Sequence, residues 1–120
     1  MNNMMPVVAW RMQAHGSSGK YKEYRLMVAG PFLIVGWGSK SMQYKIEHHY
    51  NELNAQRYGV QQTAIKEAKG YWVSWDPMQY TVDRYLLTVL ERLHNKNHRG
   101  ADTTIHSVFE LCFTDGATLT

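Results

Sequence analysis

The chain is poor in cysteine, with Cys112 alone among 120 residues. That excludes an internal disulfide framework and a zinc site built from several cysteines, and it fits a reducing, cytoplasmic setting. Long apolar runs are also missing. A run such as Pro31 to Val35 is far below the roughly 20 residues that a membrane helix needs, so no membrane partner is expected. Met1 to Met5 shows no basic segment leading into an apolar one, so no secretory signal is expected. Charged residues make up 19% and apolar residues 44%, which excludes a chain kept disordered by its own charge. The length leaves no room for a second core, so residues 1–120 are expected to form a single domain.

Catalytic signatures are absent as well. There is no G-x-S-x-G, H-E-x-x-H or P-loop. The acidic residues are scattered, with no pair spaced for acid–base work. The expectation is a non-enzymatic chain with no cofactor. Cys112 lies between Leu111 and Phe113, an apolar setting that suits a buried structural thiol rather than a nucleophile.

What the chain does have is rings and a modest surplus of positive charge. Four Trp and eight Tyr favour a sheet-rich domain or a surface that presents rings. Thirteen Lys and Arg against ten Asp and Glu give a net charge of +3, which permits a polyanion partner without demanding one. The surplus is uneven. Residues 1–50 carry Arg11, Lys20, Lys22, Arg25, Lys40 and Lys45 against Glu23 and Glu47, a net of +4. Residues 51–120 carry seven basic and eight acidic residues, a net of −1. A polyanion is therefore expected on the first half.

Period-2 alternation predicts strands around Val8–Met12, Glu23–Val28 and Met42–Tyr50, and the branched and aromatic residues of Phe32–Gly38 predict another between the last two. His15–Gly19 reads as a flexible loop, Gly30-Pro31 as a turn and Ser39-Lys40-Ser41 as a hairpin connection. Short links imply an antiparallel meander. Asn51–Lys69 reads as helical, with Leu53, Val60, Ala64, Ile65 and Ala68 on its apolar face, Gly59 interrupting it and Gly70 stopping it. Tyr71–Trp75 reads as a short strand. Asp76-Pro77-Met78-Gln79 has the form of a helix start: Asp caps, Pro suits the first position and Gln completes a capping box. A helix over Met78–Lys96 would then carry Val82, Leu86, Val89, Leu90 and Leu93 as a stripe packed on its own domain. Asn95–Thr104 reads as a loop, and Ser107, Phe109, Leu111 and Phe113 as a final strand. Asp115–Thr120 reads as a frayed tail. The expected class is α+β: a twisted, mainly antiparallel sheet of about five to six strands covered by one or two helices.

Between Tyr21 and Tyr50, rings interleave with basic residues: Tyr21-Lys-Glu-Tyr-Arg25, Trp37-Gly-Ser-Lys40 and Tyr44-Lys45. Rings can stack on bases and sugars, while Lys and Arg meet phosphates. The plain alternative is that Tyr24, Trp37 and Tyr44 simply pack a small sheet. Four segments in this stretch have a recognisable order. They are Tyr24-Arg-Leu-Met-Val28, Phe32-Leu-Ile-Val-Gly-Trp37-Gly38, Met42-Gln-Tyr-Lys-Ile46, and a helix ending Lys66-Glu-Ala-Lys69-Gly70-Tyr71. Together they resemble a WGR domain over residues 20–75, just over half the chain. Ser39 stands where the family's signature arginine would be, with Lys40 next to it, and Met42 replaces the glycine that usually precedes Gln43.

The resemblance implies a nucleic-acid-binding module, with DNA ahead of RNA. It implies that Trp37 stacks on a sugar or base, that Gly38 lets the ligand approach the backbone, and that Lys40 supplies the charge Ser39 cannot. Lys20, Lys22, Arg25 and Lys45 complete the expected nucleic-acid-binding set. Two other expectations stand beside it. One is a protein-interaction adaptor or inhibitor that uses Tyr71, Trp72, Trp75 and Tyr80, or the helix over 78–96. The other is a metal site at His94, His98 and His106, prompted by the i, i+4 spacing of the first two.

Overall fold

The computed structural model describes residues 3–17 and 19–114. The expected sheet is there, and the class is α+β. The described residues form β1 (Met4–His15), β2 (Tyr21–Ala29), β3 (Phe32–Gly38), β4 (Met42–His48), α1 (Glu52–Ala68), β5 (Trp72–Asp83), α2 (Tyr85–Asn95), β6 (Arg99–Gly100) and α3 (Thr103–Cys112). The six strands make one antiparallel sheet in the order β5-β1-β2-β3-β4-β6.

Both faces of this sheet are covered. Trp10, Met12, Tyr24, Leu26, Val28, Leu33 and Val35 pack beneath α1. Val7, Ala9, Met27, Ala29, Phe32, Ile34, Tyr44 and Ile46 pack against Leu86 and Leu90 of α2 and Ile105, Phe109 and Cys112 of α3. Burial on two sides is why Leu26–Ala29 and Phe32–Val35 read as unbroken apolar runs. Leu26, Met27, Leu33 and Ile34 lose all solvent contact, and each stabilises the fold by about 1.5–3 kcal/mol.

α1 runs unbroken through Gly59, contrary to the expected interruption. Asn51 caps it by accepting from the Asn54 N–H at 2.9 Å. A Cβ on Gly59 would lie 2.8 Å from the Trp10 ring, so the missing side chain lets the helix sit directly on that indole. Trp10 Nε1 in turn donates to Thr63 Oγ1 at 2.8 Å. The residues buried on α1 are Ala55 and Gly59, not the predicted apolar face. Leu53, Val60 and Ile65 are 52%, 66% and 47% exposed. The helix stops as expected. Gly70 takes φ +97°, its N–H donates to the Glu67 carbonyl, and the Tyr71 N–H donates back to the Lys66 carbonyl, a Schellman closure.

The second half departs further from the sequence expectations. Asp76-Pro77 does not start a helix. It lies inside β5, which runs on to Asp83. The register steps from Ala9–Met78 to Arg11–Trp75, leaving Asp76 and Pro77 opposite Trp10 as a bulge. On an edge strand the missing proline N–H costs no ladder bond. α2 therefore begins only at Tyr85, where Asp83 Oδ1 accepts from the Tyr85 N–H at 2.8 Å. Its stripe does pack on its own domain, through Leu86 and Leu90.

The predicted final strand is instead the helix α3. Asp102 caps it by accepting from the Ile105 N–H at 2.9 Å. Ile105, Phe109 and Cys112 recur at helical spacing and are buried, while Leu111 is 68% exposed. The Asn95–Thr104 segment, expected as a loop, holds β6, whose two residues pair with Tyr44 and Lys45 of β4. Three helices therefore cover the sheet, one more than expected. The reading of 115–120 as a tail lies outside the described residues. Among the described residues no helix is long and apolar enough to cross a membrane.

Candidate functional site

Strand register gathers a row of side chains at one end of the sheet. On β2, Lys22 and Tyr24 share the face beneath α1. Tyr24 pairs with Trp37, Val35 with Lys45, and Lys45 with Arg99. The last turns of α1 cross above this row and contribute Gln62, Ile65, Lys66 and Lys69. Tyr71, fixed by the helix stop, closes the wall. Between them lies a cleft of about 550 Å³.

Five cations line that cleft: Lys22, Lys45, Lys66, Lys69 and Arg99. Lys66 Nζ sits 4.6 Å from the centroid of the Tyr24 ring and 5.2 Å from that of Tyr71. The guanidinium of Arg99 covers Trp37 at 5.1 Å. Tyr24 and Tyr71 meet edge to face at 6.3 Å. Lys45 is neutralised by Glu47 at 2.9 Å. Among the described residues the other four cations form no ion pair.

Burial, then the charges of Lys69, Lys22 and Lys45, push the Lys66 pKa below the ordinary lysine value. Burial, then Glu47 and Tyr71, pushes the Tyr24 hydroxyl up to about 12, so it stays protonated. Tyr24 Oη donates to Gln62 Oε1 at 3.3 Å. A crowd of cations in one cleft attracts anions.

The structure divides the residues expected to bind nucleic acid. Trp37, Gly38, Lys22 and Lys45 line the cleft. Lys20 is exposed and lies outside its lining. Lys40 lies beside a separate depression with Asp102, Thr103 and His106, so it does not supply charge next to Trp37. Gly38 has a structural reason of its own, since a Cβ there would collide with the Ser41 carbonyl.

Arg25 sits on the other face of the sheet, 5% exposed. Its Nε pairs with Glu23 at 2.9 Å, Nη1 donates to Tyr44 Oη at 3.1 Å, and Nη2 lies 3.6 Å from Glu110. Burial opposes its charge, but Tyr44, Glu23 and Glu110 together outweigh burial and hold its pKa above the ordinary value. Neighbours on a strand face opposite ways, so Tyr24 and Arg25 cannot serve one surface.

The four rings of the adaptor expectation are dispersed. Tyr71 belongs to the cleft. Trp72 joins His15 and Tyr21 at ring distances of 5.1 and 5.7 Å. Trp75 Nε1 donates to Tyr80 Oη at 2.8 Å, beneath the Arg11 guanidinium. The histidines of the metal expectation separate too. His94 packs on Phe32 and His48, while His106 bonds Tyr44 and Glu110. Among the described residues no three His, Cys, Asp or Glu side chains are arranged to hold a metal. Cys112 is buried, and that burial raises its thiol to about 11, which leaves it a weak nucleophile.

The sequence left three cations of the cleft out of the expected set. Lys66 and Lys69 have a local reason to exist, as basic residues in the last turn of a helix. The Tyr71 ring two residues beyond Lys69 was the available signal that they face a site. Arg99 carries no local signal, because only the pairing of β6 with β4 brings it to Trp37. In comparisons with known proteins, the chain matches no protein-family model, no curated protein and no solved structure.

Proposed function

We propose that this protein is a small, non-enzymatic nucleic-acid-binding module, with DNA ahead of RNA as its ligand. The observation that carries the proposal is the cleft itself, where five cations from separate parts of the chain surround Trp37, Tyr24 and Tyr71. Rings and unpaired cations in one concavity are the chemistry that meets bases and phosphates. The resemblance to WGR domains adds support. Trp37 and Gly38 line the cleft, and Arg99 brings a guanidinium to Trp37 from elsewhere in the chain, where the sequence has Ser39. The unbridged Cys112 fits a reducing, cytoplasmic setting.

The test is binding of labelled DNA at low salt by wild type and by the double variant Lys66→Ala, Arg99→Ala. Binding that weakens in the double variant and falls with added salt supports the proposal. Absence of binding, or binding indifferent to both substitutions, overturns it.

A protein-interaction role is the second reading. The exposed apolar residues of α1, Leu53, Val60 and Ile65, favour it more than the dispersed rings do. A purified partner whose binding survives nuclease treatment and is lost in Val60→Asp would favour it over the first.

A further inference from the structure

We propose that the cleft takes an unpaired stretch of nucleic acid, with a base inside it and the flanking phosphates on its rim. This rests on the nucleic-acid reading above and narrows it.

Shape is the first ground. A duplex keeps its bases stacked inside and presents phosphate ridges outward. Proteins read it by pushing a helix or a strand pair into a groove about 12 Å wide. Here the protein supplies the concavity and the ligand must enter. At about 550 Å³ the cleft falls within the roughly 300–1,000 Å³ range of sites that enclose one small group. A base swung out of its stack has the right form, and the wall of a duplex does not.

Layering is the second ground. The inner surface is aromatic and apolar: Tyr24 and Val35 are buried, Trp37 and Tyr71 half-buried. Lys22, Lys69 and Arg99 are exposed around them. A free inorganic anion would use the outer cations and leave the rings idle. A nucleotide uses both, its base against rings and its phosphates against the rim. Gln62 adds a polar group suited to a base edge. Its Oε1 is taken by Tyr24, while its amide NH₂ has no protein partner among the described residues.

The third ground is the occupied face of Trp37. Arg99 covers that ring from an exposed position on the two-residue β6. An incoming base displaces the guanidinium, and Arg99 then meets the adjacent phosphate with its two-pronged fork. The exchange is favourable because a base on a ring is a stronger contact than an exposed cation on one. The lowered pKa of Lys66 is in keeping with this: burial is its first cause, and the second, the charges of Lys69, Lys22 and Lys45, is one that bound phosphates offset.

The experiment compares three labelled DNAs of equal length at one low salt concentration: a single strand, a blunt duplex and a covalently closed duplex circle without ends. The single strand should bind about tenfold or more tighter than the closed circle, the scale of one stacked base. A single strand carrying a photoreactive 5-iodouracil should cross-link wild-type protein at Trp37, Tyr24 or Tyr71. A closed circle bound as tightly as the strand, or cross-links confined to Trp72, Trp75 or Tyr80, would overturn the inference while leaving nucleic-acid binding in place. No binding of any of the three would overturn the broader reading, and this one with it.

Discussion

The guanidinium of Arg99 rests over the indole of Trp37, 5.1 Å from the ring centroid, and the backbone pairing of Arg99 with Lys45 holds it there. Arg99→Ala removes a cation, a fork and a stacked plane at once. Nucleic-acid affinity should fall roughly tenfold, and the slope of log affinity against log salt should shrink by about one. Arg99→Lys keeps the charge but neither fork nor plane. It should restore the salt slope without restoring the affinity. Salt titrations of the three proteins check both quantities.

Lys66 predicts an alkaline limb in binding. Burial, then Lys69, Lys22 and Lys45, lower its pKa, so the free protein loses this proton at lower pH than an ordinary lysine does. Bound phosphates favour the charged form and pull the pKa back up. Affinity should therefore fall as pH rises through the lowered value, with proton uptake on binding in that window. Tyr24, raised to about 12, does not contribute there. Stability runs the opposite way. Between the lowered and the ordinary value the unfolded chain holds more protons, so Lys66 makes the fold more stable as pH rises. Lys66→Gln should flatten both trends, as followed by binding and melting across that range.

Gly59 offers a sign test. In an isolated helix, Gly→Ala stabilises by about 1 kcal/mol. Here the added methyl would stand 2.8 Å from the Trp10 ring, and that ring is fixed by its bond to Thr63. Gly59→Ala should therefore cost about 1–2 kcal/mol net, within the range for overpacked sites. In a Trp10→Leu background the same substitution should turn neutral or stabilising. Denaturant melts of the four proteins close the cycle.

Arg25 should matter far more for folding than for binding. Arg25→Met strips Glu23 of its ion-pair partner and leaves the Tyr44 hydroxyl to His106 alone. A buried pair broken on one side costs about 3–5 kcal/mol. Glu23 and Glu110 are 23% and 53% exposed and can turn to water, so about 1–3 kcal/mol is expected. Affinity for nucleic acid should fall far less than stability, because the Arg25 side chain and the cleft lie on opposite faces of the sheet and only its partner Glu23 reaches the cleft lining.

The first four strands were legible because their information is local. Alternation around Trp10, Tyr24 and Tyr44, with glycines at the turns, specifies them without reference to the rest of the chain. What was not legible depends on partners. Asp76-Pro77 fits a helix start and an edge-strand bulge equally well, and the long β1 beside it decides between them. Phe109 belongs to a period-2 set with Ser107 and Leu111 and to a helical set with Ile105 and Cys112. The cap at Asp102 and the apolar face of the sheet select the second. The site divides in the same way. Trp37, Lys22 and Lys45 stood out as a run of rings and charge, whereas Arg99 needed the fold to bring it in. Arg25 belongs to the same run of rings and charge, but strand parity turns it to the face opposite Tyr24.

The helix stop at Gly70 has a thermodynamic consequence for the cleft. The Tyr71 N–H donates to the Lys66 carbonyl, so the ammonium on one wall and the ring it faces belong to a single closed hydrogen-bonded loop. The backbone that carries both is ordered before a ligand arrives, so that share of the entropy cost is met in folding. Gly70 holds φ +97°, where a side chain would be strained by roughly 1 kcal/mol. A change there would be felt in the ligand's dissociation rate even though Gly70 itself has no side chain to touch it.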